Sequence, residues 1–208
     1  MTMVDIISKD NVCGGVIVMD EKNEVYPVRA PYVVLACGGL GGLYKNSTNF
    51  PHIAGDGLGI AMKHQVVLEH LDYIQIHPTT LYSHKPGRRF LISESVRGEG
   101  ALLYDKNGQR FTNELQPRDL LSQAIFAQME KDGTDFVWED MRPLGEETIM
   151  KHFPNIFHRC VEEGFDPRKE PIPVVPAQHY FMGGIKVDLG SRTSMKGLYA
   201  CGETSCNG

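Results

Sequence analysis

The sequence lacks any apolar run long enough to cross a bilayer. Its longest apolar stretches, such as residues 32–37, are far shorter than the roughly 20 residues that a membrane-spanning helix requires. Basic residues are also in the minority, because 21 lysines and arginines stand against 26 aspartates and glutamates, which gives a net charge of -5. A nucleic-acid-binding protein would normally carry a basic stripe. We therefore expect a soluble protein that binds neither membranes nor nucleic acids.

Cysteines are few and widely spaced. The five are Cys13, Cys37, Cys160, Cys201 and Cys206, an odd number without C-x-x-C spacing. This pattern argues against a disulfide framework and against a zinc site, and it favours a reducing compartment. The first residues also lack the basic and apolar segments of a signal peptide. We therefore predict a cytoplasmic protein without a metal site.

The apolar pattern predicts a mixed α/β chain of one or two domains. Residues 16–19 and 25–28 flank a polar turn and predict a β-hairpin, and residues 32–36 form the continuous apolar run of a buried strand. A glycine-lined turn at residues 55–57 is followed by helical spacing of apolar residues. A last strand is expected at residues 198–201.

The middle of the chain predicts a second hairpin and two further helical regions. Asn107-Gly108 is a strong hairpin signal between residues 102–104 and 110–112. Pro117 is suited to the first turn of a helix with apolar residues up to Met129. Another helix is expected over residues 146–152, interrupted at Pro154, resumed to residue 163 and ended by Gly164.

Seven short motifs connect these elements to a known group of enzymes. They are A-C-G-G at 36–39, G-D-G at 55–57, Q-I-H-P-T at 75–79, S-E-S-V-R-G-E-G at 93–100, P-R-D at 117–119, H-Y at 179–180 and G-L-Y-A-C-G-E at 197–203. In order and rough spacing they resemble the flavoprotein superfamily of fumarate reductases, succinate dehydrogenases and L-aspartate oxidases. Within it, H-F-P-N-I at 152–156 and the proline-rich stretch at 170–177 resemble the L-aspartate oxidases.

The resemblance implies an α/β fold with an α+β insertion. Residues 1–70 correspond to the C-terminal part of a first segment of a Rossmann-like FAD-binding domain, residues 71–180 to a capping domain that closes over substrate, and residues 181–208 to the start of the returning FAD-binding segment. The G-x-G-x-x-G turn that opens such a domain does not occur in the sequence. We therefore expect an internal piece of a longer enzyme, which by itself binds FAD weakly or not at all and has no oxidase activity.

The resemblance also assigns the substrate-binding residues. His77 and His179 correspond to ligands of a substrate carboxylate, and Pro78 restrains the backbone beside His77. A lone histidine is more often structural, and only its motif separates His77 from that alternative. Leu91, Ser93 and Glu94 complete the assignment. The Ser93 hydroxyl would donate to the substrate, and Glu94 would hold a neighbouring cation, although a simple strand end is the alternative for both.

Arg118 is implied to be the catalytic proton-transfer group. A guanidinium normally stays charged, so this role requires a closed, desolvated site. The alternative is a helix-start arginine that pairs with Asp119 or with a neighbouring acid. Arg97 is expected to be a structural partner and not a substrate ligand.

The implied cofactor is FAD, bound without a covalent link in the complete protein. Gly38, Gly39, Asp56 and Glu203 match positions that contact it, although acidic residues beside glycines are usually only turns. The implied reaction converts L-aspartate to iminoaspartate for quinolinate and NAD biosynthesis, with oxygen or fumarate as electron acceptor.

Small dicarboxylates, L-aspartate and fumarate, are the expected substrates, and quinolinate synthase is the expected protein partner. One alternative is the flavoprotein subunit of a fumarate reductase or succinate dehydrogenase. An alternative of another class is a non-catalytic module that binds a dicarboxylate.

Overall fold

The computed structural model describes all 208 residues and divides them into two compact units. Unit 1 consists of residues 1–43, 51–75 and 180–208, and unit 2 consists of residues 44–50 and 76–179. Each unit contains its own cluster of buried apolar side chains, as expected of units that pack independently.

Thirteen strands and five α-helices follow one another along the chain. The strands are β1 (Thr2–Lys9), β2 (Val12–Met19), β3 (Val25–Arg29), β4 (Val33–Leu35), β5 (Leu68–Glu69), β6 (Ile74–Leu81), β7 (Phe90–Leu91), β8 (Leu102–Tyr104), β9 (Val137–Asp140), β10 (Ile172–Phe181), β11 (Gly184–Lys186), β12 (Leu198–Ala200) and β13 (Ser205–Cys206). The helices are α1 (Asp56–Lys63), α2 (Glu94–Gly98), α3 (Arg118–Asp132), α4 (Glu146–His152) and α5 (Pro154–Glu162). None of them combines the length and the apolar composition needed to cross a membrane.

Unit 1 begins with an antiparallel sheet of β1, β2 and β3. Asp10 and Asn11, both with positive φ, make the turn between β1 and β2, which suits residues that tolerate the left-handed region. Val16 pairs with Val28, so the predicted hairpin between residues 16–19 and 25–28 is confirmed.

Strand β4 forms a two-stranded parallel sheet with β12, and Leu35 lies opposite Ala200. The prediction of a strand here is confirmed, but the prediction that the whole run is buried is wrong. Only Leu35 is buried, whereas Tyr32 and Val34 are exposed. The strand therefore buries the side chain of Leu35 on one face and leaves that of Val34 exposed on the other.

The remaining sheet of unit 1 has the strand order β13-β11-β5. Strand β11 pairs in parallel with β13 and antiparallel with β5. Helix α1 starts after Gly55, whose φ of 81° requires glycine, and it packs Leu58 and Ala61 into the core. The predicted glycine-led helix is therefore confirmed.

Unit 2 is built on a five-stranded sheet with the order β7-β6-β10-β9-β8. Helices α3 and α5 follow their predicted apolar spacing and bury Leu121, Ile125 and Cys160 in the core of this unit. Pro117 lies at the N-cap of α3, one position before the predicted first turn. Helix α5 starts at Pro154, as its fixed φ favours.

The predicted hairpin around Asn107-Gly108 is only half present. The turn forms, with the Gly108 N–H donating to the Asp105 carbonyl, but only a single bridge between Tyr104 and Arg110 follows it. The reason lies in Glu114, whose carboxylate accepts the N–H of Leu103 at 2.9 Å. This side chain satisfies the backbone donor of β8 that a second strand would otherwise have satisfied.

Candidate active site

The two histidines of the sequence motifs meet on neighbouring strands of unit 2. His77 lies on β6 and His179 lies on β10. Their ring centroids are 5.6 Å apart and the ring planes are inclined at 67°. Strand pairing therefore brings together two imidazoles that are about one hundred residues apart in sequence.

His77 is neutral at physiological pH. Burial lowers its pKa to about 4, and the positive charges of Arg97, His179 and Arg118 act in the same direction. Its Nδ1 lies 2.9 Å from the Thr79 carbonyl oxygen and 3.3 Å from the Thr79 nitrogen. The shorter contact is to the acceptor, so we assign the proton to Nδ1, which leaves the Nε2 lone pair available to a ligand.

His179 is oriented by a segment that the sequence motifs do not include. Its Nδ1 lies 2.8 Å from the Thr48 hydroxyl, and the Asn49 side chain donates to its carbonyl oxygen. The segment is anchored through Gln178, which accepts from Ser47 at 2.6 Å. Sequence reasoning missed Thr48, and the polar cluster at residues 46–49 was the signal that could have drawn attention to it.

Arg118 and Glu94 form an ion pair between two helix starts. Arg118 is the first residue of α3, Glu94 is the first residue of α2, and the Arg118 Nε donates to the Glu94 carboxylate at 2.9 Å. The bond lowers the pKa of Glu94 and raises that of Arg118. Both groups are therefore ionised at neutral pH.

Ser93 precedes this carboxylate and caps α2. Its hydroxyl oxygen accepts the N–H of Ser95 at 3.2 Å, the usual bond of an N-cap residue. Because capping uses a lone pair, the hydroxyl proton remains available to a ligand. Leu91, on β7, pairs with Thr80 and is half-buried.

Arg97 is more deeply buried than Arg118 and Glu94, and its hydrogen bonds are made to other residues of the protein. It is buried, and its Nη1 donates to the Glu114 carbonyl oxygen at 3.1 Å. Burial lowers its pKa, which the nearby carboxylates of Glu139 and Glu94 partly oppose. These contacts are those of a structural partner.

The unit 2 residues form one electrostatic group. His77 is influenced by Arg97, His179 and Arg118, and Glu94 is influenced in turn by His77 and both arginines. The group offers two imidazoles, a hydroxyl and a guanidinium, which are donors or latent donors for carboxylate oxygens. The arrangement is chemically suited to a small dicarboxylate.

In unit 1, Gly38, Gly39 and Glu203 converge at the ends of the parallel strands β4 and β12. A Cβ at position 39 would lie 2.7 Å from the Glu203 carboxylate, so a larger residue there would displace the Glu203 side chain. Glu203 accepts the N–H of Phe181 at 2.8 Å, and the Thr204 hydroxyl donates to the Gly38 carbonyl at 2.9 Å. The carboxyl ends of parallel strands are where α/β folds bind their ligands.

Asp56 starts α1 beside the same strand end. A Cβ at Gly57 would lie 3.0 Å from the Cys37 side chain, so the first turn of the helix packs directly on the residue before Gly38. Asp56 itself is exposed. Unit 1 thus places two carboxylates and a glycine turn together, a set that suits the hydroxyl groups of a nucleotide cofactor.

Comparisons with known proteins identify the family of the chain. A family model described as "FAD binding domain" matches residues 1–208. L-aspartate oxidase from Clostridium perfringens is 50% identical over 207 residues, which are 99% of this chain and 47% of that protein. L-aspartate oxidase from Clostridium acetobutylicum is 48% identical over 205 residues, with 98% and 47% covered. The chain therefore spans about half the length of these curated relatives.

Among solved structures, a mutant of E. coli quinol fumarate reductase superposes with a TM-score of 0.86. It is 36% identical, and the match covers 100% of this chain and 39% of that one. The expected fold class, the resemblance to L-aspartate oxidases and fumarate reductases, and FAD as the cofactor of the family are confirmed. Since a single family model accounts for every residue from the first sheet of unit 1 to the Glu203 turn, the chain belongs to the FAD binding domain family.

Proposed function

We propose that the chain belongs to an FAD-dependent L-aspartate oxidase that converts L-aspartate to iminoaspartate for quinolinate and NAD biosynthesis. The observation that carries the proposal is the group of His77, His179 and the Arg118–Glu94 pair within unit 2. The sequence identity of 50% to an L-aspartate oxidase supports it. Oxygen and fumarate are the proposed electron acceptors.

His77, His179 and Ser93 bind the substrate carboxylates in this proposal. Ser93 donates its hydroxyl proton to the substrate. The His179 ring is oriented towards the substrate by Thr48. In the tautomer assigned above, His77 becomes a donor at Nε2 when it takes up a proton, which a bound carboxylate would favour. Leu91 provides apolar contact beside the polar groups.

Arg118 is the proposed catalytic residue, and Glu94 positions it. A guanidinium can accept a substrate proton only if it passes one of its own protons on. Glu94 is ionised and bonded to the Arg118 Nε, so it is the acceptor available for that transfer. The pair therefore provides a route for the proton away from the reacting carbon.

Gly38, Gly39, Asp56 and Glu203 are the residues that would hold FAD. The close approach of Gly39 to Glu203 keeps this strand end free of a side chain at position 39. Bound FAD would supply the hydride acceptor for oxidation of the substrate. In the same proposal, residues 1–70 and 181–208 belong to the FAD-binding domain and residues 71–180 to the capping domain.

The proposed substrates are L-aspartate and fumarate, and the proposed protein partner is quinolinate synthase. An imine hydrolyses readily in water, so an enzyme that consumes iminoaspartate benefits from proximity to its source. We place the protein in the cytoplasm, in keeping with five free cysteines.

The second candidate is the flavoprotein subunit of a fumarate reductase or succinate dehydrogenase. The structural match to quinol fumarate reductase favours it, since the TM-score is 0.86. The two candidates differ in the electron donor. L-aspartate would reduce the flavin of an aspartate oxidase, whereas succinate would reduce the flavin of a dehydrogenase.

Stopped-flow reduction of the flavin in the complete, FAD-loaded enzyme that contains this chain separates the candidates. Under anaerobic conditions, we expect L-aspartate to bleach the flavin absorption and succinate to leave it unchanged. Reduction by succinate alone would favour the second candidate. Tight dicarboxylate binding without reduction by either compound would indicate a non-catalytic module and overturn the proposal.

A further inference from the structure

Three potential metal ligands converge in unit 1, and none of them is among the residues proposed to bind FAD. They are the carboxylate of Glu69, the imidazole of His70 and the thiol of Cys206, and their ligand atoms all lie within 4.8 Å of one another. Glu69 ends β5 and Cys206 ends β13. The two strands are separated only by β11.

Sheet register explains why the side chains converge. Glu69 lies opposite Gly184, and Cys206 lies opposite Lys186. Gly184 and Lys186 are two residues apart on β11, so they share one face of the sheet, and their partners share it too. Gly184 contributes no side chain to this face, which leaves space between the other two strands.

The backbone of His70 is fixed in place. Its φ of 53° lies in the left-handed region, and a Cβ at Gly183 would lie 2.0 Å from its carbonyl oxygen. The same carbonyl accepts the N–H of Tyr73, and the His70 ring stacks on the Tyr73 ring at 4.5 Å. The imidazole is therefore held beside Glu69 before any ligand arrives.

We propose that Glu69, His70 and Cys206 form a binding site for Zn²⁺, with water completing the coordination. Thiolate and imidazole ligands with one carboxylate favour zinc over magnesium or calcium, which prefer oxygen ligands alone. Tetrahedral zinc holds its ligand atoms roughly 3.6 Å apart. Side-chain rotations that move these ligand atoms by about 1 Å would therefore bring them to the spacing that zinc requires.

A cation already occupies the edge of this cluster. The Lys186 ammonium bonds the Glu69 carboxylate at 2.8 Å, and its pKa is raised chiefly by that bond, with a contribution from Cys206. A divalent ion would take the place of this ammonium beside both groups. His70 is exposed, Glu69 is half-buried and Cys206 is buried, so an ion would enter from the side of His70.

This proposal departs from the expectation, based on cysteine spacing, that the chain has no zinc site. The ligands come from two stretches that are more than one hundred residues apart, so no spacing rule could reveal them. Cys206 follows Glu203 by three residues. A bound ion would therefore fix β13 directly after the turn that carries Glu203.

Cobalt substitution tests the site in the purified protein, because Co²⁺ bound to a thiolate absorbs in the near ultraviolet and visible range. We expect one Co²⁺ per chain, with a thiolate-to-cobalt charge-transfer band that Zn²⁺ abolishes. Cys206→Ser should remove the band and weaken binding at least about tenfold. His70→Asn, which tolerates the left-handed backbone, should weaken binding but retain the band.

Cys37→Ser is the matched control, since Cys37 is an exposed cysteine of the same unit. Its titration should be identical to that of the unchanged protein. The proposal is overturned if no saturable cobalt binding occurs, or if the band persists in Cys206→Ser. It is also overturned if His70→Asn, whose replaced side chain is exposed, binds Co²⁺ as tightly as the unchanged protein.

Discussion

Arg118 donates from its Nε to the Glu94 carboxylate at 2.9 Å and thereby joins the first residue of α3 to the first residue of α2. Their side chains are 38% and 51% exposed, so the pair contributes little to stability on its own. If the pair acts in catalysis, replacing Arg118 should lower turnover. If it acts only in stability, the replacement should leave turnover nearly unchanged.

In the complete, FAD-loaded enzyme, we expect Arg118→Leu to lower turnover by roughly 10²-fold or more, the usual scale for a positioned acid or base. Binding of a dicarboxylate inhibitor should fall much less, because His77, His179 and Ser93 remain. Stopped-flow flavin reduction by L-aspartate and an inhibitor titration on the same variant measure the two effects.

Arg142→Leu is the control for this variant. Arg142 belongs to the same unit and forms a similar ion pair with Asp140 at 2.8 Å, outside the histidine group. Its loss should leave turnover nearly unchanged. Flavin reduction at the normal rate in Arg118→Leu would remove Arg118 from the mechanism.

Dicarboxylate binding should be coupled to proton uptake by His77. Its pKa is about 4 in the free protein, chiefly because of burial. A carboxylate bound at Nε2 favours the imidazolium and raises that pKa. Affinity should therefore fall as the pH rises from about 4 towards the higher pKa of the complex, by at most about tenfold per pH unit.

Calorimetric titration in two buffers of different ionisation enthalpy measures this proton uptake directly. We expect a fraction of a proton to be taken up per bound inhibitor, and none in His77→Gln. His84→Gln, which replaces an exposed histidine of the same unit, should retain the uptake. Equal uptake in all three proteins would assign the proton to another group.

Thr48→Val should weaken substrate binding more than it slows turnover. The variant removes the hydroxyl that lies 2.8 Å from the His179 Nδ1, so the ring loses the contact that sets its orientation. We expect KM for L-aspartate to rise several-fold, as for the loss of one hydrogen bond to the site. Steady-state kinetics on the loaded protein provides the measurement.

Thr134→Val is the matched control for Thr48→Val. The Thr134 hydroxyl donates to the Phe136 carbonyl and has no contact with either histidine of the site. Its KM should not change. If both variants behave alike, Thr48 has no specific role towards His179.

Much of the fold could be predicted because local chemistry decided it. The positive φ before α1 favours glycine at position 55, and Pro154 fixes the start of α5. Gly164 follows the end of α5 with a φ of 96°. The strand expected after Asn107-Gly108 could not be judged in this way. The Glu114 side chain accepts the N–H of Leu103 that a second strand would have bound, and only the three-dimensional structure reveals this contact.

The residues of the candidate site also differ in how well the sequence could predict them. Motifs could indicate His77, Glu94 and Arg118, because each motif is a short contiguous segment. Thr48 was missed, since it is 131 residues from His179 and the polar cluster around it matches no motif. Glu139 was also missed. Its complete burial results from the packing around it in the fold, and its neighbours in sequence do not indicate it.

Glu139 should make the stability of the protein depend on pH. It lies on β9 with no exposed surface, and neither carboxylate oxygen has a hydrogen-bond partner. Burial raises its pKa from 4.5 to about 8, although the charge of Arg97 acts in the opposite direction. The folded state therefore binds the proton more tightly than the unfolded state does.

The sign of the effect follows from this difference. The stabilisation by the bound proton is complete below about pH 4.5, and it is lost as the pH rises through 8, where the buried carboxyl ionises. The total loss across that window is on the order of 5 kcal/mol. Above about pH 9 no further loss is expected from this group.

Glu139→Gln removes the titration while it keeps the size of the side chain. Denaturant unfolding from pH 5 to pH 9 should show that the free energy of unfolding of the unchanged protein falls relative to that of Glu139→Gln as the pH rises. Glu130→Gln, an exposed position on α3, should follow the unchanged protein at every pH. Parallel curves for the unchanged protein and Glu139→Gln would mean that the carboxyl reaches water or a partner, and that burial does not hold its proton.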